Sequence, residues 1–221
     1  MHKILVINPN SNADVTVKLS DIFCDYHVTK NTKVDCISIQ EGPFGIESDE
    51  DIHHVSPLVI KKIKNELPNY DAFVIACYSD PGLSDSKLAF SVPIYGIHET
   101  TVKFCHYKKI KFGVIALGEE SIKRHFEYIR KLSLSSYYVG EVSINMDVNE
   151  AVNGENTMMK IYNASKNLIH NEKAEAIILG CAGMAKYRES LEKKLGVKVF
   201  EPVQTSVDCA IMNLKYWFKG E

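Results

Sequence analysis

Two cysteines, Cys77 and Cys181, stand at matched places in this sequence. Each ends a short apolar run: Asp71-Ala72-Phe73-Val74-Ile75-Ala76 before the first, Glu175-Ala176-Ile177-Ile178-Leu179-Gly180 before the second. Such runs read as buried parallel strands. Each thiol is then expected just past the carboxyl end of a strand, where open α/β sheets bind ligands. A helix that follows would set its positive end beside the sulfur and favour the thiolate. Two thiols facing each other across a cleft suit one reaction class. A thiolate takes the proton from a carbon next to a carbonyl, and the opposed thiol returns one to the other face. The stereocentre inverts. A free thiol titrates near about 8.5, within reach of neutrality once local dipoles lower it. Neither metal nor organic cofactor is called for if hydrogen-bond donors hold the enolate.

A free cysteine is more often a small buried hydrophobe. Cys24, Cys36, Cys105 and Cys209 lie in apolar patterns and keep that role. Matched placement and the turn-forming residues that follow set Cys77 and Cys181 apart.

The elements that must position them alternate between strand and helix. Strands are expected at Lys3–Ile7, Val34–Ile39, Ala72–Ala76 and Val92–Ile97, then at Lys111–Leu117, Tyr137–Ile144, Ala176–Gly180 and Val197–Phe200. Ser11 and Asp14 have the spacing of a helix-capping pair ahead of Val15, Leu19, Ile22 and Phe23. Further helices are expected at Pro57–Leu67, Ser121–Leu132, Thr157–His170, Lys186–Leu195 and Thr205–Phe218, with residues 145–156 a loop. This order implies right-handed crossovers and mostly parallel sheets. Val6 precedes Cys77 by 71 positions (77 − 6) and Val114 precedes Cys181 by 67 (181 − 114), as an internal duplication would give. The expected fold is α/β, with two pseudo-symmetric Rossmann-like lobes and a cleft between them. Residues 1–98 plus 205–221 would form the first lobe and 99–204 the second.

Bulk composition narrows the partners. The net charge is −2 over 221 residues, with no basic face for nucleic acid. No run of about 18 apolar residues suggests a membrane span. No export signal and no CxxC pair occur, so reduced thiols and a cytoplasmic location are expected. His53 and His54 are adjacent and point apart on a helix, and His98 with Glu99 is too few for a metal site. The expected partner is a small-molecule substrate.

Other residues could support the thiols. Asn10 and Ser11 close the first strand and could donate to a substrate carbonyl or nitrogen, or simply make the turn. Ser79 could touch substrate. Asp80 before Pro81-Gly82 reads as turn chemistry rather than a base. Gly180 and Gly183 would let backbone N–H groups approach the substrate. The polar loop holding Gly42, Pro43, Phe44 and Ile46 could close over the site, with Phe44 or Ile46 as its apolar contact.

These pieces together resemble the hydantoin racemase branch of the aspartate/glutamate racemase superfamily. The residues that carry the resemblance are Ile7-Asn8-Pro9-Asn10-Ser11, Gly42-Pro43 with Ile46-Glu47-Ser48, Ala76-Cys77-Tyr78-Ser79-Asp80-Pro81-Gly82-Leu83, Val92-Pro93-Ile94-Tyr95-Gly96-Ile97 and Leu179-Gly180-Cys181-Ala182-Gly183-Met184. The resemblance implies two catalytic cysteines, Cys77 and Cys181, and a 5-substituted hydantoin or allantoin as substrate. It implies substrate contacts at Asn10, Ser11, Pro43, Ile46, Ser79, Ala116, Gly180, Ala182 and Gly183, no cofactor, and a homo-oligomer, for which an apolar face around Trp217 would serve. Amino-acid racemases of the wider superfamily resemble Cys-Asn-Thr and Cys-Thr-His at the two cysteines. Tyr78-Ser79 and Ala182-Gly183 stand here instead, which fits a substrate without free ammonium and carboxylate groups. Many relatives carry a Thr-rich turn at Ala116-Leu117-Gly118-Glu119. Other readings stay open: an amino-acid racemase, a maleate-type cis–trans isomerase or a decarboxylase of the same fold, or a small-ligand-binding protein without catalysis.

Overall fold

The computed structural model describes residues 1–217, with side chains described through Lys215. The first half runs β1 (His2–Asn8), α1 (Ala13–Phe23), α2 (Tyr26–Thr29), β2 (Thr32–Ser38), α3 (Asp49–Glu66), β3 (Ala72–Ile75), α4 (Leu83–Ala89), β4 (Ile94–Gly96) and α5 (Ile97–Tyr107). The second runs β5 (Phe112–Ala116), α6 (Glu119–Lys131), β6 (Tyr138–Ser143), α7 (Val148–Asn153), α8 (Thr157–His170), β7 (Ala176–Leu179), α9 (Arg188–Leu195) and β8 (Lys198–Phe200). Helix α10 (Pro202–Trp217) closes the chain against α5, β1 and β3.

Both sheets are parallel and repeat one strand order, β2-β1-β3-β4 and β6-β5-β7-β8. The central pairs match in register: Val6 lies beside Val74, and Val114 beside Ile178. The strands are apolar on both faces because both are covered. Ile4, Val6 and Val74 face Val114, Ile178 and helix α10 in one core that spans the two lobes. Leu5, Ile7, Phe73 and Ile75 turn the other way onto Val59 and Ile63 of α3. Ile115, Ile177 and Leu179 do the same in the second lobe, toward Ile161 and Leu168 of α8. The period-two alternation of side chains thus builds one shared core and two outer ones.

Several local expectations need correction. Residues 145–156 contain a helix, α7, started by a capping box in which Asp147 and Glu150 satisfy each other's backbone N–H groups. Helix α3 starts at Asp49, not Pro57, because Ser48 and Asp51 form a capping box there. The helix runs through Pro57, at the loss of one backbone bond, because Val55, Val59 and Ile63 bury its inner face. Helix α1 is capped by Asn12, whose side chain accepts the Asp14 N–H, so Ser11 and Asp14 do not form the capping pair. Helix α10 begins at Pro202, a favoured first-turn residue. The apolar face expected around Trp217 lies outside the described side chains. Among the described residues, no helix is long and apolar enough to cross a membrane.

Candidate active site

The two thiols come from equivalent corners. Each stands two residues past its central strand, Cys77 after Ile75 and Cys181 after Leu179. Both sulfurs receive the backbone N–H of the residue two positions on. Ser79 serves Cys77, and Gly183 serves Cys181 at 3.3 Å. A 3-10 turn, Ala182–Tyr187, starts at Cys181, whereas helix α4 begins six residues after Cys77. Both cysteines are half-buried and line one cavity of about 1000 Å³ measured to its open mouth.

The expected dipolar lowering of the thiols is outweighed. Burial pushes Cys77 up to about 11, with the Ser79 N–H and the Arg124 charge pulling the other way and Asp80 adding to the rise. Burial pushes Cys181 up to about 12, and negative charge at Cys77, Glu201 and Glu47 adds to it against the Gly183 N–H.

Asn10, Ile46, Ser79, Gly180, Ala182 and Gly183 share this cavity with the cysteines. Asn10 is set by an asparagine knot at the end of β1. Its Oδ1 accepts from Asn8 Nδ2 at 2.8 Å and from the Asn12 backbone N–H at 3.0 Å. A backbone donor fixes which amide atom is oxygen, so the Asn10 group left for a ligand is its NH₂ donor.

Other expected contacts have different roles. Ser11 and Pro43 are not in the lining. The Ser11 N–H donates to the Pro43 carbonyl at 2.9 Å and pins the polar loop to the first turn. Ala116 is fully buried within β5, and the wall there is made by Leu117 and Gly118 beyond the strand end. Gly180 and Gly183 bring no free N–H. The Gly180 N–H bonds Ile115 in the sheet, and that of Gly183 serves the Cys181 sulfur. From the loop, Ile46 and Glu47 face the cavity while Phe44 is exposed. Asp80 is structural. It sits in the left-handed region (φ 47°), and its carboxylate accepts the His98 and Glu99 N–H groups that open α5. His98 is buried, stacked on Tyr78 at 4.1 Å, and is not in the lining.

The rest of the wall was not foreseen. Val15, Met146 and Val148 add apolar surface. Arg124 and His125 enter from α6. Arg124 bonds Asp49 at 2.9 Å, while its Nε is buried without a partner among the described residues. Nothing in the local pattern of α6 marks these two residues. The start of α7 was legible as the Asp147–Glu150 capping signal, and it brings Val148 to the site.

An ordered polar corner, two thiols and apolar walls thus line one cavity. A profile described as Asp/Glu/Hydantoin racemase matches residues 4–210. A hydantoin racemase from Pseudomonas sp. (strain NS671) is 32% identical over 221 residues, covering 94% of this chain and 84% of its own. A hydantoin racemase from Paenarthrobacter aurescens is 29% identical, covering 92% of this chain and 87% of its own. Among solved structures, an allantoin racemase from Klebsiella pneumoniae superposes with a TM-score of 0.90 at 21% identity, covering 98% of this chain and 89% of its own. With the fold, the matched halves and these likenesses together, the chain is a racemase-family enzyme and belongs to the Asp/Glu/Hydantoin racemase family.

Proposed function

We propose that this enzyme inverts the C5 stereocentre of a hydantoin-type ring, a 5-substituted hydantoin or allantoin, by two-base proton transfer between Cys77 and Cys181, without a cofactor. The observation that carries this reading is the equivalence of the two thiols. Each stands two residues past a central strand, each takes an i+2 backbone N–H, and both line one cavity. C5 of such a ring lies next to the C4 carbonyl, so its proton is acidic and its anion is an enolate. The thiolate removes that proton from one face and the opposed thiol protonates the other. The two sulfurs then hold exchanged roles, and the reverse reaction uses the same pair. In this reading Asn10 Nδ2 donates to a ring carbonyl, supported by its Oδ1 being held by Asn8 and Asn12, and Val15, Ile46, Leu117 and Met146 suit an uncharged ring and its substituent.

The experiment is proton NMR in D2O with the purified chain and the separate enantiomers of a 5-alkyl hydantoin and of allantoin. The C5 proton signal should disappear faster than in an enzyme-free control, with optical rotation decaying toward zero. No exchange above the control on any of these rings would overturn the reading.

A further inference from the structure

Behind Cys77 lies a buried pair that the two-thiol reading does not use. His125 Nδ1 lies 2.7 Å from Glu141 Oε1, and the two side chains are 4% and 0% exposed. Among the described residues Glu141 has one other partner, the Tyr138 hydroxyl, which donates to Oε2 at 3.5 Å. A carboxyl in such a place is costly unless it is held neutral or well paired. The imidazole sits edge-on to Tyr78, the residue after Cys77, at 4.9 Å between ring centres. His125 also lines the cavity. With Nδ1 turned back toward Glu141 on β6, the ring nitrogen left for the cavity is Nε2.

We propose that His125 is a further catalytic residue, donating a hydrogen bond from Nε2 to the carbonyl oxygen that becomes the enolate oxygen, and that Glu141 is its positioning residue. The inference rests on the ring-racemase reading above. Burial holds Glu141 well above the usual carboxylate range, and burial together with the Arg124 charge holds His125 below the usual imidazole range. Burial on both sides of this contact disfavours charge on either partner, so in this proposal the pair is neutral, with the Glu141 carboxyl donating to Nδ1 and the imidazole proton on Nε2. The dyad thus offers a donor to the cavity without adding a net charge.

The step balances without any redox partner. The thiolate takes the C5 proton, and the C–H electron pair becomes the C4–C5 double bond. The carbonyl pair moves onto the C4 oxygen, where the Nε2–H bond strengthens but does not break. The opposed thiol then gives its proton to C5 and the carbonyl reforms. A preorganised donor aimed at developing oxyanion charge is worth about 10²–10³ in rate.

The test uses C5 exchange on a 5-alkyl hydantoin with four variants of the full chain, each checked by thermal melt. His125→Asn keeps an amide near Nδ1 to hold Glu141 but removes the cavity donor. It should lower kcat by about 100-fold with KM changed by less than about 3-fold. His125→Gln places an amide near Nε2 and should recover about 10-fold of that loss. Glu141→Gln can still donate to Nδ1 and should lose far less activity than Glu141→Leu. Equal losses in His125→Asn and His125→Gln, or a His125→Asn enzyme with normal kcat, would overturn the inference while leaving the racemase reading intact. If the His125 variants do not fold, the Glu141 pair decides, and equal activity in Gln and Leu rejects the role. A wild-type chain that exchanges no hydantoin proton rejects the underlying reading instead.

Discussion

Glu47 accepts the Val148 backbone N–H through Oε1 at 3.1 Å, so a loop of the first lobe is tied to the first turn of α7 in the second. Arg124 adds a second link across the mouth, to Asp49 on α3 at 2.9 Å. Both links are near solvent, and Asp49 is 73% exposed, so each should contribute little to global stability. Their effect falls on the loop that carries Ile46 into the cavity. Glu47→Ala should leave the melting temperature nearly unchanged and raise KM about 5-fold, the equivalent of about 1 kcal/mol. Initial-rate titration beside a thermal melt checks this, and a lower melting temperature with an unchanged KM would assign Glu47 to the fold instead.

Cys77→Ser and Cys181→Ser should each lower racemisation by about 10²–10⁴, the range for removing an acid–base group. A variant with one thiol left can still exchange the C5 proton of one enantiomer. The two variants should therefore favour opposite enantiomers in D2O. Full racemisation by either would end the two-thiol mechanism.

The pH–rate profile follows from the burial of the thiols. With Cys77 raised to about 11 and Cys181 to about 12, the thiolate is scarce at neutrality. The rate should rise with pH, by about 10-fold per unit well below the Cys77 value. Arg124→Gln removes a charge that favours the Cys77 thiolate, so its rising limb should move to higher pH. A pH-independent rate between pH 6 and about 9 would show that deprotonation of a raised thiol is not required.

Gly180 has no room for a side chain. A Cβ there would stand 2.6 Å from the Ile115 carbonyl oxygen, which is backbone and cannot step aside. Gly180→Ala should destabilise the fold by about 1–3 kcal/mol and displace Cys181 with it. Chemical denaturation gives the first quantity and residual exchange activity the second. A variant of normal stability would mean that β5 and β7 separate more easily than their pairing suggests.

Glu201 makes stability depend on pH. It is 1% exposed, accepts the Val203 and Gln204 N–H groups at the start of α10, and is raised by burial from 4.5 to about 7. A folded value above the unfolded one means that the folded state holds the proton more tightly. Its favourable contribution is full below the unfolded value and is lost as pH rises from about 4.5 through about 7. Glu201→Gln should flatten the stability profile in that window, as read by denaturant midpoints at several pH values. An unchanged slope would place the proton elsewhere.

Much of the fold was legible because its strands are short, apolar on both faces and flanked by turn chemistry. The helix Thr157–His170 has the bounds its periodicity predicts. The matched runs before Cys77 and Cys181 announced the two equivalent corners. Errors gathered at helix starts, where capping side chains decide the boundary. Ser48 with Asp51 and Asp147 with Glu150 are readable signals, but Pro57 was the louder cue. Site residues on strand ends could be anticipated, since a position after a parallel strand faces the cleft by construction. Arg124 and His125 could not. They reach the cavity because α6 packs across its mouth, a long-range fact that no local pattern carries. That the N–H groups of Gly180 and Gly183 are claimed by the sheet and the thiol is likewise a fact of the folded structure rather than of local sequence.

The core shared by the two sheets has a consequence for how this molecule comes apart. Val6 and Val74 of one half and Val114 and Ile178 of the other lie in the same apolar cluster, which α10 completes. A chain cut between α5 and β5 would expose that surface on both fragments. The two halves have become obligate companions, so they should melt as one cooperative unit rather than in sequence. A substitution on the inner face of either half is therefore felt by both, and each inner face can change only as far as the opposite one can accommodate it.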